Sequence, residues 1–259
     1  PSVGGTLITF TLQLFEKSQT VSNAGIIDLV HAMQVTTAAR KNASTDSNDS
    51  YLISKILDKN TFKHYLDQYL ELHSLNIDEN DPPSRGATTQ VSIIDNAGNA
   101  ASVTTTNGEG CGYLIPELGV MLNNMLGEED LNPSGFHNFK CQQRLPTMIS
   151  PTVVMGDNGP ELVIGSGGSN RIRSAIIQVI LNLMKGMDLD RAINASRIHL
   201  EGSVLHCEPD ISFPDKIKLP DGVSIHQWDI QNLFFGGVNA VTWEEAVGDP
   251  RRGGTGVIV

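Results

Sequence analysis

Cysteine is scarce: Cys111, Cys141 and Cys207 are the only three in 259 residues. An odd number without metal-ligand spacing argues against a disulfide framework and gives no zinc signature, so reduced thiols are expected. Even Cys111, in its glycine-rich turn, is expected to serve as a small apolar side chain. Positive charge is short as well. Lys and Arg number 18 against 29 Asp and Glu, a net charge of −11, with no basic cluster. That balance argues against nucleic acid and anionic membrane as partners. No apolar run is long enough to span a bilayer, and there is neither an internal repeat nor a low-complexity tract. The start, Pro1-Ser-Val-Gly-Gly5, has no methionine and no signal peptide, so it reads as an internal start. What remains is ordinary for a globular protein: 39% apolar, 18% charged, 25 Gly. The length suffices for one or two domains with a substantial core.

The pattern predicts three regions: a helical part over 1–73, a linker over 74–87, and a strand-rich part over 88–259. In the first, Ile8, Leu12 and Phe15 share a helix face, as do Ile26, Val30 and Met33, and then Phe62, Leu66 and Tyr69. Ser22-Asn23 is a candidate cap for the second helix. Residues 42–49 read as a loop, and the sequons at Asn42 and Asn48 as chance. The linker is acidic and carries Pro82-Pro83, which no packed element survives. Behind it, β-branched Thr88, Thr89, Val91, Ile93 and Ile94, the turn 95–99 and the run 100–106 predict a hairpin. A second hairpin is expected over 152–164 around the turn 156–160. A helix follows from Arg171 to Lys185, ended by Gly186, and then a shorter one capped by Asp188. The tail from Phe234 to Val259 reads as strands.

Three groups of residues are chemically suggestive. A threonine opening a strand behind a cleavable connector suits a nucleophile that becomes a new N-terminus and uses its own amine as base. In a hairpin Thr104 and Thr106 share a face, so either can reach Thr88. Ordinary strand threonines explain the same residues. Gly165-Ser-Gly-Gly-Ser-Asn170, ahead of a helix, reads as a nest of N–H groups for a phosphate or an oxyanion, or as a plain tight turn. Gly127-Glu-Glu-Asp130 is either a receptor for a substrate ammonium or a solvated acidic loop. Arg144 and Arg171 are candidate carboxylate partners, and His199 is expected to be a packing histidine.

In order, these landmarks resemble the gamma-glutamyltransferase family of N-terminal-nucleophile hydrolases. The pieces are Pro1-Ser-Val-Gly-Gly5, Thr88-Thr89 with Ser92, Asp95 with Gly98-Asn-Ala100, and Gly119 to Asn124. Ser150-Pro-Thr152, Gly165-Ser with Gly168, Arg171-Ile172, Arg197-Ile-His199 and Asp249-Pro-Arg251 complete the set.

The resemblance implies an α+β fold, a four-layer αββα sandwich, in a chain that is the helical end of a large subunit plus a whole small subunit. It implies self-cleavage between Ala87 and Thr88, with Thr88 as nucleophile and Thr106 positioning it. Gly167 and Gly168 fall in the oxyanion loop; counted back from Arg171, the paired glycines fall instead on Gly168 and Ser169. The substrate-binding positions fall on Asn107, Glu128, Thr147 and Met148. The family's asparagine two places after the positioning threonine is Gly108 here, its ammonium-binding aspartate is Glu128, and its serine pair is Thr147-Met148. No cofactor or metal is implied. The implied partners are the N-terminal half of a precursor and a small amide substrate, gamma-glutamyl compounds among the candidates, with a homo-oligomer left open. A catalytically silent relative acting as an assembly module is the rival reading. A phosphate site at the Gly165 loop is disfavoured, because no lysine stands beside it.

Overall fold

The computed structural model describes residues 3–44, 55–71, 88–128, 131–132, 135–139, 141–142, 144–213 and 219–259. Helix α1 (Val3–Lys17) is buried almost all round, through Leu7, Ile8, Phe10, Leu14 and Phe15, as a helix does at the centre of a core. Against it lie α2 (Ile26–Ser44) and α3 (Lys59–Glu71). Phe10 meets Phe62 and Tyr65 edge to face, and Phe15 meets Tyr69 likewise. The cap of α2 is not Ser22-Asn23. Gly25 occupies that place, its N–H donating to Asp28 Oδ2 at 2.8 Å, so the acidic first turn reaches back where the sequence suggested a serine. The helix also runs into the expected loop as far as Ser44, and Asn42 donates to the Tyr65 hydroxyl at 2.8 Å. Asn48 and the whole linker over 74–87, with Ala87, lie outside the described residues.

Strands β1 (Thr88–Ile94) and β2 (Ala100–Thr106) form the expected hairpin, pairing Thr88 with Thr106 and Gln90 with Thr104. Asp95 closes its turn by accepting from the N–H groups of Ala97 and Asn99 and from the Asn99 side chain. A small hairpin, β3 (Leu114–Ile115) with β4 (Val120–Met121), follows. The second expected hairpin, β5 (Thr152–Gly156) with β6 (Gly159–Gly167), joins β10 (Gly237–Val241) and β11 (Ala246–Val247). They make one antiparallel sheet in the order β11-β10-β6-β5. Helix α4 (Arg171–Met184) covers one face of that sheet with α1 packed against the helix, and the β1–β2 hairpin stacks on the other face. The described residues thus supply three successive layers, helix, sheet and hairpin, of the αββα arrangement.

Two details differ from expectation. The glycine-rich segment is not a loop until Gly168, because β6 runs through Gly165 and Gly167. The tail becomes strand only at Gly237, since 233–235 form a 3-10 turn, and Val257 to Val259 are exposed without strand structure. One sheet was not expected at all: β7 (Ile198–Glu201), β8 (Val204–Cys207) and β9 (Ser224–Gln227), with β8 and β9 parallel. Helix α5 (Leu189–Asn194) precedes it and is capped by Asp188, which accepts from Arg191 N.

Two of the distant motifs meet in one buried ion network. Arg197 pairs with Asp249 at 2.8 Å, and Arg251 pairs with both Asp249 and Glu208, all four side chains within 2% of full burial. Asp249 also accepts from Val238 N, and Arg197 donates to Phe235 O. The network therefore fixes the start of β10 and the turn before it. That turn matters to the site, because Gly236 packs against Gly168.

Candidate active site

The end of the β1–β2 hairpin brings Thr88 and Thr106 together by cross-strand register. The Thr88 hydroxyl donates to Thr106 Oγ1 at 2.9 Å, and Gly108 N donates to the same oxygen at 2.9 Å. Thr106, not Thr104, is the partner; Thr104 bonds Gln90 instead. Thr88 is half-buried, and so is open to a reactant from one side. Below it lies Gly167, where a Cβ would stand 2.5 Å from the Thr88 carbonyl oxygen and 3.3 Å from its Cβ. Only a glycine lets the strand come this close to Thr88. Gly168 begins the turn into α4, its carbonyl accepting from Arg171 N at 2.9 Å, and Ser169 O accepts from Ile172 N. The turn thus stands at the N-terminus of a 14-residue helix, beside Thr88, where N–H groups and the helix dipole favour developing negative charge.

Glu128 also reaches this neighbourhood. Its carboxylate and the Asn124 side-chain oxygen occupy the volume that any side chain at Gly108 would need. Gly108 is therefore a glycine for a local reason. Asn124 further accepts from Glu109 N at 2.8 Å, and Asn132 donates to the Glu128 carbonyl. Asn107 shapes the same loop. Its carbonyl accepts from Gly110 N and Asn124 N, while its amide is turned toward Met121 O at 3.5 Å. Glu129 and Asp130 lie outside the described residues.

Thr147 and Met148 are placed differently. Thr147 O accepts from Gly4 N, Thr147 Oγ1 accepts from Ile149 N, and Met148 is 2% exposed within the main core. Their contacts tie this loop to the start of α1. Of the two arginines, Arg144 is exposed and Arg171 is buried. Arg171 does pair with a carboxylate, that of Glu201 at 3.6 Å inside the fold, and it also donates to Phe234 O and Asn170 Oδ1 and lies over the Phe234 ring, so its role is structural. His199 is buried against Ser174 Oγ at 2.8 Å. Burial, then Arg171 and Arg173, hold its pKa well below the usual histidine value, so it is a neutral packing residue, as its sequence context suggested.

Asn124 and Gln90 are site neighbours that sequence reasoning passed over. Gln90 carried a signal, since a two-residue period puts it on the same face as Thr88. Asn124 ends the Gly119–Asn124 motif, but without a period in its loop nothing pointed its side chain toward Gly108. Among the described residues, no group of three or more His, Cys, Asp or Glu is placed to hold a metal, and no helix is long and apolar enough to cross a membrane.

Known proteins share this chain's sequence pattern and fold. The family profile described as gamma-glutamyltranspeptidase matches residues 1–259. The glutathione hydrolase proenzyme of Bacillus subtilis (strain 168) is 29% identical over 181 residues, which cover 66% of this chain and 31% of the relative. The acylase ACY 1 proenzyme of Pseudomonas sp. (strain SE83) is 30% identical over 159 residues, 60% of this chain and 28% of the relative. The chain thus spans about a third or less of the length of these relatives. Among solved structures, cephalosporin acylase from Bacillus halodurans shares the fold, with a TM-score of 0.72 at 17% identity over 99% of this chain and 50% of that one. The Bacillus anthracis transpeptidase CapD, crystal form II, is 27% identical with a TM-score of 0.51, covering 66% of this chain and 99% of that one. With a profile match along its full length, and with the threonine pair, the glycine turn and the buried ion network in place, this chain belongs to the gamma-glutamyltranspeptidase family.

Proposed function

We propose that this chain carries the nucleophile of an amide hydrolase and acyl transferase that cuts its own precursor at Ala87–Thr88. The observation that carries the reading is the Thr88–Thr106–Gly108 relay, stacked directly on Gly167 and beside the Gly168 turn. In processing, the Thr88 hydroxyl attacks the Ala87 carbonyl, the acyl group shifts from nitrogen to oxygen, and water hydrolyses the ester. This releases the Thr88 amine. In turnover that amine accepts the hydroxyl proton as Oγ1 attacks the substrate amide, and the departing amine takes the proton away. Water or an acceptor amine then cleaves the Thr88 ester. N–H groups of the 167–169 turn receive the oxyanion, and Thr106 aims the hydroxyl.

Two points support the boundary and the substrate class. The CapD chain is matched almost end to end by 66% of this one, the share that residues 88–259 make up. The Glu128 carboxylate beside Gly108 is the candidate receptor for a substrate ammonium, as a gamma-glutamyl donor requires. The rival reading, a silent assembly module, draws on Met148, whose burial leaves Thr147 alone of the expected pair near the surface.

One experiment separates the two. Incubation of the full-length protein with a gamma-glutamyl donor, followed by intact mass and peptide mapping, should show an acyl adduct on Thr88. N-terminal sequencing should show a second terminus, Thr-Thr-Gln-Val-Ser. Thr88→Ala should leave one uncut chain without turnover, and Thr106→Ala should slow both events. An active protein with an intact Ala87–Thr88 bond refutes the mechanism.

A further inference from the structure

Two residues beyond Thr88 on the same face of β1, Gln90 is 3% exposed and lies between the hairpin and the four-stranded sheet. Its amide nitrogen stands 2.9 Å from Ser92 Oγ, 2.9 Å from Ser102 Oγ and 2.9 Å from Val91 O. Its carbonyl oxygen accepts from the Thr104 hydroxyl. A side-chain NH2 can only donate, and its two hydrogens are shared among these three acceptors, so toward Gln90 each serine hydroxyl acts as an acceptor and not a donor. Each then sends its own single proton downward, Ser92 to Asn239 O at 2.9 Å and Ser102 to Ile164 O at 3.2 Å. Asn239 answers from β10, its Nδ2 donating to the Gln90 backbone carbonyl at 2.8 Å. One amide therefore sets the proton direction of three hydroxyls, and two of them bolt the hairpin to β6 and β10.

The bolt sits next to the reacting residue. Gly165 lies under the Gln90 side chain, where a Cβ would collide with the amide, and Gly167 lies under Thr88 in the same way. The two glycines alternate on β6 in step with the two side chains on β1. The depth at which Gln90 seats thus fixes the height of Thr88 over the Gly167–Gly168 turn. We infer that Gln90 is a second positioning residue for the Thr88 hydroxyl, beside Thr106, acting through the Ser92–Ser102–Thr104 hydrogen-bond ladder rather than by touching the substrate. The role rests on the reading of Thr88 as nucleophile.

Two near-isosteric variants of the full-length protein test it. Gln90→Met removes every hydrogen bond that the Gln90 side chain makes to the ladder, and Gln90→Glu turns its donor end into an acceptor. A misplacement of roughly 1 Å costs on the order of 100-fold in rate. Both variants should therefore lower kcat by about 10- to 100-fold, keep KM within about 2-fold, and slow cleavage at Ala87–Thr88 in parallel. The Glu variant has a further signature. As pH falls its buried carboxyl takes a proton and regains one donor, so its kcat relative to wild type should rise, whereas the Met ratio should stay flat. If Gln90→Met has no cooperative melt, Ser102→Ala, which deletes a single hydroxyl, should still lower kcat by about 3- to 10-fold. Wild-type kcat in the variants, or a ratio for Gln90→Glu that does not respond to pH, overturns the inference. Absence of an acyl adduct on Thr88 in the wild type overturns the nucleophile reading itself, and the positioning role with it, so the two failures are distinct.

Discussion

At the scale of single residues, the site is built from close approaches that only particular side chains permit. Gly167 lets the four-stranded sheet touch Thr88, and Gly108 lets Glu128 and Asn124 come beside the residue that bonds Thr106. Glu128 invites a test of its own. A glutamate sets its carboxylate about one bond length further out than an aspartate, and such a shift weighs heavily where a charged group must be placed. Glu128→Asp should accordingly raise turnover of gamma-glutamyl anilide substrates, measured as kcat/KM. Unchanged or lower activity means that Glu128 does not hold the substrate ammonium.

At the scale of elements, the β1–β2 hairpin turns its polar side inward. Thr88, Gln90, Ser92, Ser102, Thr104 and Thr106 face the four-stranded sheet, and their hydrogen bonds replace the apolar interleaving of an ordinary sandwich. The β7–β8–β9 sheet has a different sensitivity. Its register aligns His199, His206 and His226 across three strands. Trp228 Nε1 donates to His206 Nδ1 at 3.2 Å. Burial first, then His226 and Arg171, push the His206 pKa down to about 4, although the Glu201 carboxylate stands 3.9 Å away. The unfolded chain takes up that proton near the ordinary histidine value of about 6.5. Between the two values the unfolded state binds more protons, so stability falls as pH falls through this window and levels off below it. His199, lowered well below its usual value by burial, acts in the same direction. Urea midpoints measured from pH 7 to pH 4 should therefore drop less for His206→Gln than for wild type. Parallel curves would show that His206 titrates normally.

At the scale of the whole molecule, the outer face of the hairpin is the unfinished part. Val91, Ile93 and Val103 are about half exposed on the side away from the sheet, the reverse of what a solvent-facing hairpin shows. The occupant we propose is the N-terminal half of a precursor, since the relatives are more than three times as long as the part that is matched. Residues 1–259 produced alone should expose this face and bind a hydrophobic dye, and co-production with the preceding half should suppress that signal. Val91→Glu with Val103→Lys should prevent the co-assembly without unfolding the α1–α4 core. A dispersed, cooperatively folded fragment that binds no dye would refute the assignment.

The sequence by itself determined whatever depends on local pattern. Helix periodicity marked α1 to α4, β-branched runs and turn residues marked both hairpins, and Asp188 marked its helix, because these signals lie within a few residues of one another. The pairing of Thr88 with a threonine on the next strand was legible for the same reason, since a hairpin places 88 opposite a residue only 18 positions on. Where the pattern was silent, distant residues decided. Gly165 and Gly167 read as a loop because glycine disfavours strands; they are strand because they pair with β10, and glycine because the hairpin packs so close above them. Met148, aligned with a pocket position, went into the core because α1 packs over its loop. Arg197, Glu208, Asp249 and Arg251 were scattered letters until burial forced them to neutralise one another. Tertiary structure decided these cases because burial and charge compensation depend on which surfaces meet, and no local period encodes that.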